Sequence, residues 1–414
     1  MRKTIISLLL VCIMAFNLTG CGKEVKAKDL MEAITPNKIS VLDDLGEYNA
    51  DVTDFAIRLF AACNAKGKNT LISPLSVLSA LAMTSNGADG NTLKQMEEVL
   101  GMSVGDLNMY LYSYMNKLPK ANKYKLSLAN SIWFTDDERF SVNKDFLQNN
   151  GDYYGADIYK VPFNNDACDE INNWVNDKTD GMIYEILDEI PYDAVMYLVN
   201  ALAFEAEWAE IFYETQVKNG IFTDENGNEQ NVEFMYGSDH VYYEDEYATG
   251  FMKYYNNCKY GFVALLPNEG VSVSDYIGGL DGEDLYNMLA NPQYVKVNTS
   301  IPKFETEYNV EMGNILKGMG MTDAFDEKIA DFGKLGESKA GGIHIGRVIH
   351  KTFISVGEKG TKAGAATVVE MLDKNSADLP SEVKTVNLDR PFVYMIVDCE
   401  NNIPLFIGTM MNIN

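Results

Sequence analysis

The chain has 414 residues, with 34 Lys and Arg against 60 Asp and Glu, a formal net charge of −26. That balance excludes polyanions such as nucleic acid or heparin as partners, since binding them takes a clustered basic surface. It either serves solubility alone or steers cationic proteins, basic proteases among them, weakly at physiological salt. A hydrophobic share of 46% with 23% charged residues fits an ordinary globular protein with a large core.

The N-terminus reads as an export signal over residues 1–20. Arg2-Lys3 form a basic start, residues 5–16 a largely apolar run, and Leu18-Thr-Gly-Cys21 a cleavage site. The run is too short to span a bilayer. Leu-Thr-Gly-Cys resembles a bacterial lipobox, which implies lipidation of Cys21 and a cell-surface protein touching membrane only through its acyl chains. An ordinary signal peptide with a chance cysteine is the alternative. Residues 21–48 are polar and mixed in charge and read as a tether ahead of a single domain over 49–414. Once Cys12 leaves and Cys21 is lipidated, Cys63, Cys168, Cys258 and Cys399 remain, without a zinc spacing. Three pairings are open to them, but a chain this long needs no disulfide staples, so free buried thiols are expected.

Helical patterns fill the first third. Residues 51–65 set Val52, Phe55, Ala56, Leu59 and Phe60 at helical spacing. Ser73 stands as N-cap before Pro74 at the first helical position, where a missing N–H costs nothing, and the helix runs to Met83. Residues 91–100 predict a helix stopped by Gly101, and 106–118 another. Strands follow over 124–134 and 194–204, and two short ones around the Asn226-Gly227 turn within 220–236. Further strands are expected at 259–267 and 294–304, a helix at 309–319, and two closing strands around Glu400-Asn-Asn402. No internal repeat or linker divides the chain, so one α+β domain is expected.

Enzyme signals are weak. Gly101-Met-Ser103-Val-Gly105 matches G-x-S-x-G, but a nucleophile elbow needs a strand before the serine, and here a helix precedes it; a helix-ending turn is the expectation. Ser141-Val-Asn-Lys144 lacks its companion motifs. There are only three histidines (His240, His344 and His350) and no H-E-x-x-H, P-loop or dinucleotide fingerprint. The run Tyr242-Tyr-Glu-Asp-Glu-Tyr247 reads as a solvated edge. No catalytic site, metal or cofactor is expected.

The most telling stretch follows a β-branched run, Lys351-Thr-Phe-Ile-Ser-Val356, and begins at Gly357-Glu358-Lys359-Gly360. With a strand's period of two, Thr361, Ala363, Ala365, Thr367, Val369 and Met371 share one face, while Lys362, Gly364, Ala366, Val368, Glu370 and Leu372 share the other. Both charges fall on one side, so the opposite side can be buried. By composition the segment is a flexible linker or a strand passing close to another backbone.

Glu358-Lys-Gly-Thr-Lys-Ala-Gly-Ala-Ala-Thr367 resembles the hinge of the reactive-centre loop in inhibitory serpins. The resemblance extends over residues 50–414 through Asn69-Thr-Leu-Ile-Ser-Pro-Leu-Ser76, Leu198-Val-Asn-Ala-Leu-Ala-Phe-Glu-Ala-Glu-Trp208, Ile301-Pro-Lys-Phe-Glu305, Val348-Ile-His-Lys351, Arg390-Pro-Phe392 and Pro404-Leu-Phe-Ile-Gly408. It implies three β-sheets, eight or nine helices and an exposed loop over about 358–390. It implies a monomeric suicide inhibitor of serine, or else cysteine, proteases, with Glu358, Gly360, Thr361, Ala363, Ala365, Ala366 and Thr367 as the hinge. Ser73, Ser76, Asn200 and His350 correspond to a hydrogen-bonded cluster beneath the centre of the main sheet, and Trp208 to the tryptophan where the hinge first enters.

The family's spacing of sixteen residues from the hinge glutamate puts the bait bond at Lys374–Asn375, favouring trypsin-like targets. Residues 374–391 run longer than is common in the family, so Leu372–Asp373 or Ala377–Asp378 are open, suiting chymotrypsin- or elastase-like targets. Lys362 stands where inhibitors usually carry Glu. The alternative is a non-inhibitory serpin acting as a binding module, although such members usually carry bulky or charged residues on the inserting face.

Overall fold

The computed structural model describes residues 27–118, 124–138, 140–190, 196–339, 341–361 and 383–413. Among them are nine α-helices and three large β-sheets, with a small sheet of two short strands. The main sheet has seven strands in the order Lys28–Asp29, Asp157–Val161, Tyr124–Thr135, Met196–Glu207, Gly360–Thr361, Arg347–Gly357 and Phe304–Glu311. A six-stranded second sheet is built on Tyr260–Pro267, Phe392–Asp398 and Ile403–Met410, each buried along its whole length. That two-sided burial is why these strands read as unbroken apolar runs rather than alternating ones. The third sheet holds Val217–Thr223, Glu229–Asp239, Lys296–Pro302 and Val383–Asn387.

The helix Pro74–Ser85 packs against both the main and the second sheet, and all of its residues are buried. Small side chains let strands approach it, and its hydroxyls turn inward onto its own carbonyls. Ser79 donates to the Leu75 carbonyl, Thr84 to Ala80 and Ser85 to Leu81, at 2.8–2.9 Å. Each of these three buried hydroxyls is thereby satisfied.

The structure corrects several expectations. Residues 27–45, read as part of a tether, run along the body. Lys28–Asp29 adds an edge strand to Asp157–Val161, the Asn37 backbone N–H and side-chain amide donate to the Asp152 carboxylate at 2.6 and 2.8 Å, and the Leu42 N–H donates to Ser113 Oγ at 2.8 Å. The helix expected at 309–319 is Gly313–Met319, because 309–311 finish the Phe304–Glu311 strand and the Glu311 carboxylate takes the Gly313 N–H at 2.8 Å. The expected loop over 358–390 gives up both ends: Gly360–Thr361 sits in the main sheet, and Val383–Asn387 pairs in parallel with Lys296–Pro302. All four cysteines are free, but only Cys63 and Cys168 are buried; Cys399 is partly buried and Cys258 exposed.

Candidate functional site

The strands Met196–Glu207 and Arg347–Gly357 are neighbours in the main sheet, yet they pair with each other at one end only. Tyr197 to Asn200 run in parallel register with Arg347 to His350. At the other end Gly360 and Thr361 enter between them, antiparallel to both: Thr361 pairs with Ala206 and Val356, and Gly360 with Glu207 and Gly357. Between these zones, residues 201–205 and 351–355 have no ladder partner across the seam among the described residues. Among the described residues the seam is unpaired in its middle, with a strand started from the top.

The top of the seam is tightly built. The chain reverses through Glu358-Lys359, and Gly360 takes a φ of +151°, where a Cβ would lie 2.1 Å from the Ala206 carbonyl oxygen. Only glycine fits there. Thr361 is 1% exposed, and its hydroxyl shares a hydrogen bond with the Tyr255 hydroxyl. Tyr255 stacks on Trp208 with ring centroids 4.4 Å apart and planes 11° from parallel. Trp208 Nε1 donates to the Gly357 carbonyl at 2.8 Å, its backbone N–H donates to Lys359 at 2.9 Å, and the Phe212 N–H donates to Glu358 at 2.9 Å.

Charge closes the same turn. Lys303 Nζ lies 2.7 Å from the Glu358 carboxylate and 2.9 Å from that of Glu233. The hydrogen bond from Lys303 holds the Glu358 carboxyl below its ordinary pKa, and Glu358, then Glu233, raise that of Lys303. Behind them Lys253, buried, stands 4.5 Å from the Phe212 ring centroid and pairs with Asp239 at 3.6 Å. Burial raises the Asp239 carboxyl, opposed by its pairing with Lys253.

At the closed end His350 is 2% exposed, and its Nε2 accepts the Ser73 backbone N–H at 3.0 Å. Burial depresses its pKa from 6.5 to about 4, so the ring is neutral. Ser73 and Ser76 are fully buried, but neither hydroxyl finds a hydrogen-bond partner among the described residues. The link at this end runs through the Ser73 main chain, and the side chain of Asn200, the fourth member of the expected cluster, lies outside the described residues. Ser73 occupies the N-cap position without a side-chain cap bond, and its main-chain N–H makes the link to the histidine.

Of the residues singled out from sequence, the structure thus brings Trp208, Glu358, Gly360 and Thr361 together at the top of the seam. Ser73, His350 and the backbone of Asn200 meet at its closed end, and Ser76 is buried in the helix that follows Ser73. Ala363, Ala365, Ala366, Thr367, Lys374, Asn375 and Cys21 lie outside the described residues. Sequence reasoning missed Tyr255, Phe212 and the partners of Lys303. Lys303 belongs to a quoted motif, Ile301-Pro-Lys-Phe-Glu305, but nothing local pairs it with Glu358. Ser103 stands in the expected helix-ending turn: Gly101 caps one helix, and Ser103 Oγ accepts the Asp106 N–H at the start of Val104–Lys117.

The family model described as serpin, serine protease inhibitor, matches residues 50–413. This chain belongs to the serpin family. Human Serpin B8 is 30% identical over 89% of this chain and 99% of its own length. An uncharacterized serpin-like protein of Thermococcus kodakarensis is 29% identical over 100% of this chain and 99% of its own. The native-state crystal structure of tengpin, a thermophilic serpin, is 48% identical, covers 94% of this chain and all of its own, and superposes with a TM-score of 0.89. The fold is accordingly the serpin fold, and serpins are mostly protease inhibitors rather than catalysts.

Proposed function

We propose that this serpin is a suicide inhibitor of serine, or else cysteine, endopeptidases, and the observation that carries the reading is the partly filled seam. The protease nucleophile attacks the carbonyl of Lys374, the Lys374–Asn375 amide breaks, Asn375 leaves with a free amine, and the protease stays joined to Lys374 as an ester or thioester. The freed segment then continues into the seam as a strand before water can cleave that bond.

Register supports this. Carried on from Gly360 and Thr361, Ala363 would stand between Phe204 and Ile354, and Ala365 between Leu202 and Thr352, all four neighbours being buried. Lys362 would stand between Glu205 and Ser355 on the outer face, so its departure from the usual Glu is neutralised by a carboxylate. Thr367 would reach Asn200 and His350, and full insertion has to part the rungs from Tyr197–Arg347 to Asn200–His350. Carried down to Met196, the register ends at Met371, which favours a bait bond just beyond it. Insertion of about thirteen residues moves the protease on the order of 45 Å. Each new ladder bond contributes about 0.5–1.5 kcal/mol net, so the uncleaved form is metastable and kinetically held.

Lys374 favours trypsin-like proteases. The export signal and lipobox support a cell-surface protein anchored at Cys21. The hinge is tested by Thr361→Arg. A guanidinium at this buried position costs several kcal/mol, so the loop should be cut at the same bond without a trapped complex. Unchanged trapping would contradict insertion from Thr361.

A further inference from the structure

Two of the four free thiols meet at one end of the second sheet. The strands Ala248–Tyr254 and Tyr260–Pro267 are joined by a tight turn. In it the Tyr255 N–H donates to the Tyr260 carbonyl and the Cys258 N–H to the Tyr255 carbonyl, both at 2.9 Å. Tyr260–Pro267 pairs antiparallel with Phe392–Asp398, Tyr260 opposite Asp398. The pairing runs one residue further, because the Cys399 N–H donates to the Lys259 carbonyl at 3.0 Å. The Lys259 ammonium also pairs with the Glu400 carboxylate. The turn after Tyr255 and the turn after Asp398 thus lie side by side.

Cys258 is next in the chain to Lys259, the residue facing Cys399. Facing residues of an antiparallel pair have Cα atoms about 5.5 Å apart, and a disulfide spans Cα separations of about 4.4–6.8 Å. In a regular strand, side chains one position apart point to opposite faces. Cys258 escapes that alternation, because its φ of +54° lies in the left-handed region. Both thiols border the Tyr254 phenol, whose pKa is pushed up to about 12 by burial first and then by Cys399, Tyr294 and Cys258. Cys399 Sγ makes weak contacts at 3.8 Å to Met252 Sδ and the Val397 carbonyl, so turning it costs little. The two differ in access: Cys258 is exposed, while Cys399 is partly buried and its pKa is pushed up to about 12, mainly by burial.

We propose that Cys258 and Cys399 form a redox pair whose disulfide locks the turn carrying Tyr255, the residue whose hydroxyl holds Thr361. The oxidant is a low-molecular-weight disulfide such as oxidised glutathione. The exposed Cys258 thiolate attacks one glutathione sulfur, forming a mixed disulfide and releasing one glutathione thiolate. Cys399 gives up its proton and attacks the Cys258 sulfur, and the second glutathione leaves as a thiolate. The two protons of the protein thiols end on the two glutathiones, so two protein thiols are oxidised and one glutathione disulfide is reduced.

The test incubates the full chain with oxidised glutathione, blocks remaining thiols with N-ethylmaleimide in denaturant, and maps disulfides by peptide mass spectrometry. The expected product is one Cys258–Cys399 bond within a single chain, with Cys63 and Cys168 alkylated. Hydrogen exchange of the Tyr255 N–H should slow at least threefold on oxidation and recover with dithiothreitol. Cys399→Ser should stop at a glutathione adduct on Cys258. Cys258→Ser, at an exposed position harmless to folding, should leave Cys399 unmodified at the same glutathione concentration, and it keeps the test valid if Cys399→Ser does not fold. A lasting glutathione adduct on wild-type Cys258 beside a free Cys399, a bond between two chains, or unchanged Tyr255 exchange in the cross-linked chain would overturn the proposal.

Discussion

Acidification should loosen the closed end of the seam through His350. The ring is buried at 2% exposure, its pKa is lowered from 6.5 to about 4 by burial, and its Nε2 accepts the Ser73 N–H. Because the folded pKa lies below the unfolded one, the unfolded chain gains a proton first as pH falls, and stability is lost between pH 6.5 and 4. The slope is about 1.4 kcal/mol per pH unit, a loss of about 3 kcal/mol by pH 4. Once protonated, Nε2 can no longer accept from Ser73. His350→Gln keeps an acceptor that does not titrate, so the difference between wild type and variant isolates this group from the many carboxylates. Urea unfolding of both proteins from pH 7 to 4.5 should bring wild type down by about 2–3 kcal/mol relative to the variant. Parallel curves over that range would refute the assignment of a buried neutral histidine at the seam.

Three further outcomes follow from the site. Lys303→Met removes the cation between Glu233 and Glu358; at 31% side-chain exposure the stability loss should be about 1 kcal/mol or less, while hydrogen exchange of the Trp208 and Phe212 N–H groups rises. Unchanged exchange would mean that the backbone bonds alone hold the turn. Gly360→Ala sets a Cβ against the Ala206 carbonyl and strains a φ of +151°, a cost of about 1–3 kcal/mol; the Thr361–Tyr255 contact should open and change the fluorescence of stacked Trp208, and an unchanged spectrum would contradict that geometry. Ser103→Ala should cost about 1 kcal/mol as a lost helix cap and leave protease trapping intact; loss of activity would revive a hydrolase reading.

Much of this was legible in the chain itself. The period-two pattern from Thr361 onward marks a segment able to become a strand, and Gly360 proves indispensable for the close approach to Ala206. That the first two residues are already seated was not legible, since Tyr255, Trp208 and Phe212, which hold this turn, are bonded to it from 106 to 151 residues away. The missed helices Lys144–Tyr154, Asn165–Lys178, Val273–Gly279 and Gly282–Ala290 are short or rich in polar residues. Their signal was in the caps, as Asn143, Asn164, Ser272 and Asp281 each accept an N–H of the following turn. Residues 27–45 looked like a tether because their core-facing residues, Leu30, Met31, Leu42 and Leu45, are scattered among charges. Ser73 and His350 were expected in one hydrogen-bonded cluster; composition cannot tell that the main-chain N–H of Ser73 makes the bond.

The central claim is tested most directly by mixing the soluble chain, residues 22–414, with trypsin, chymotrypsin and elastase, followed by denaturing gels and mass spectrometry. The expected result is a complex that survives SDS and a released C-terminal peptide beginning at Asn375. Clean cleavage in the loop by all three, with no complex and no gain in thermal stability of the cut protein, would contradict insertion into the seam.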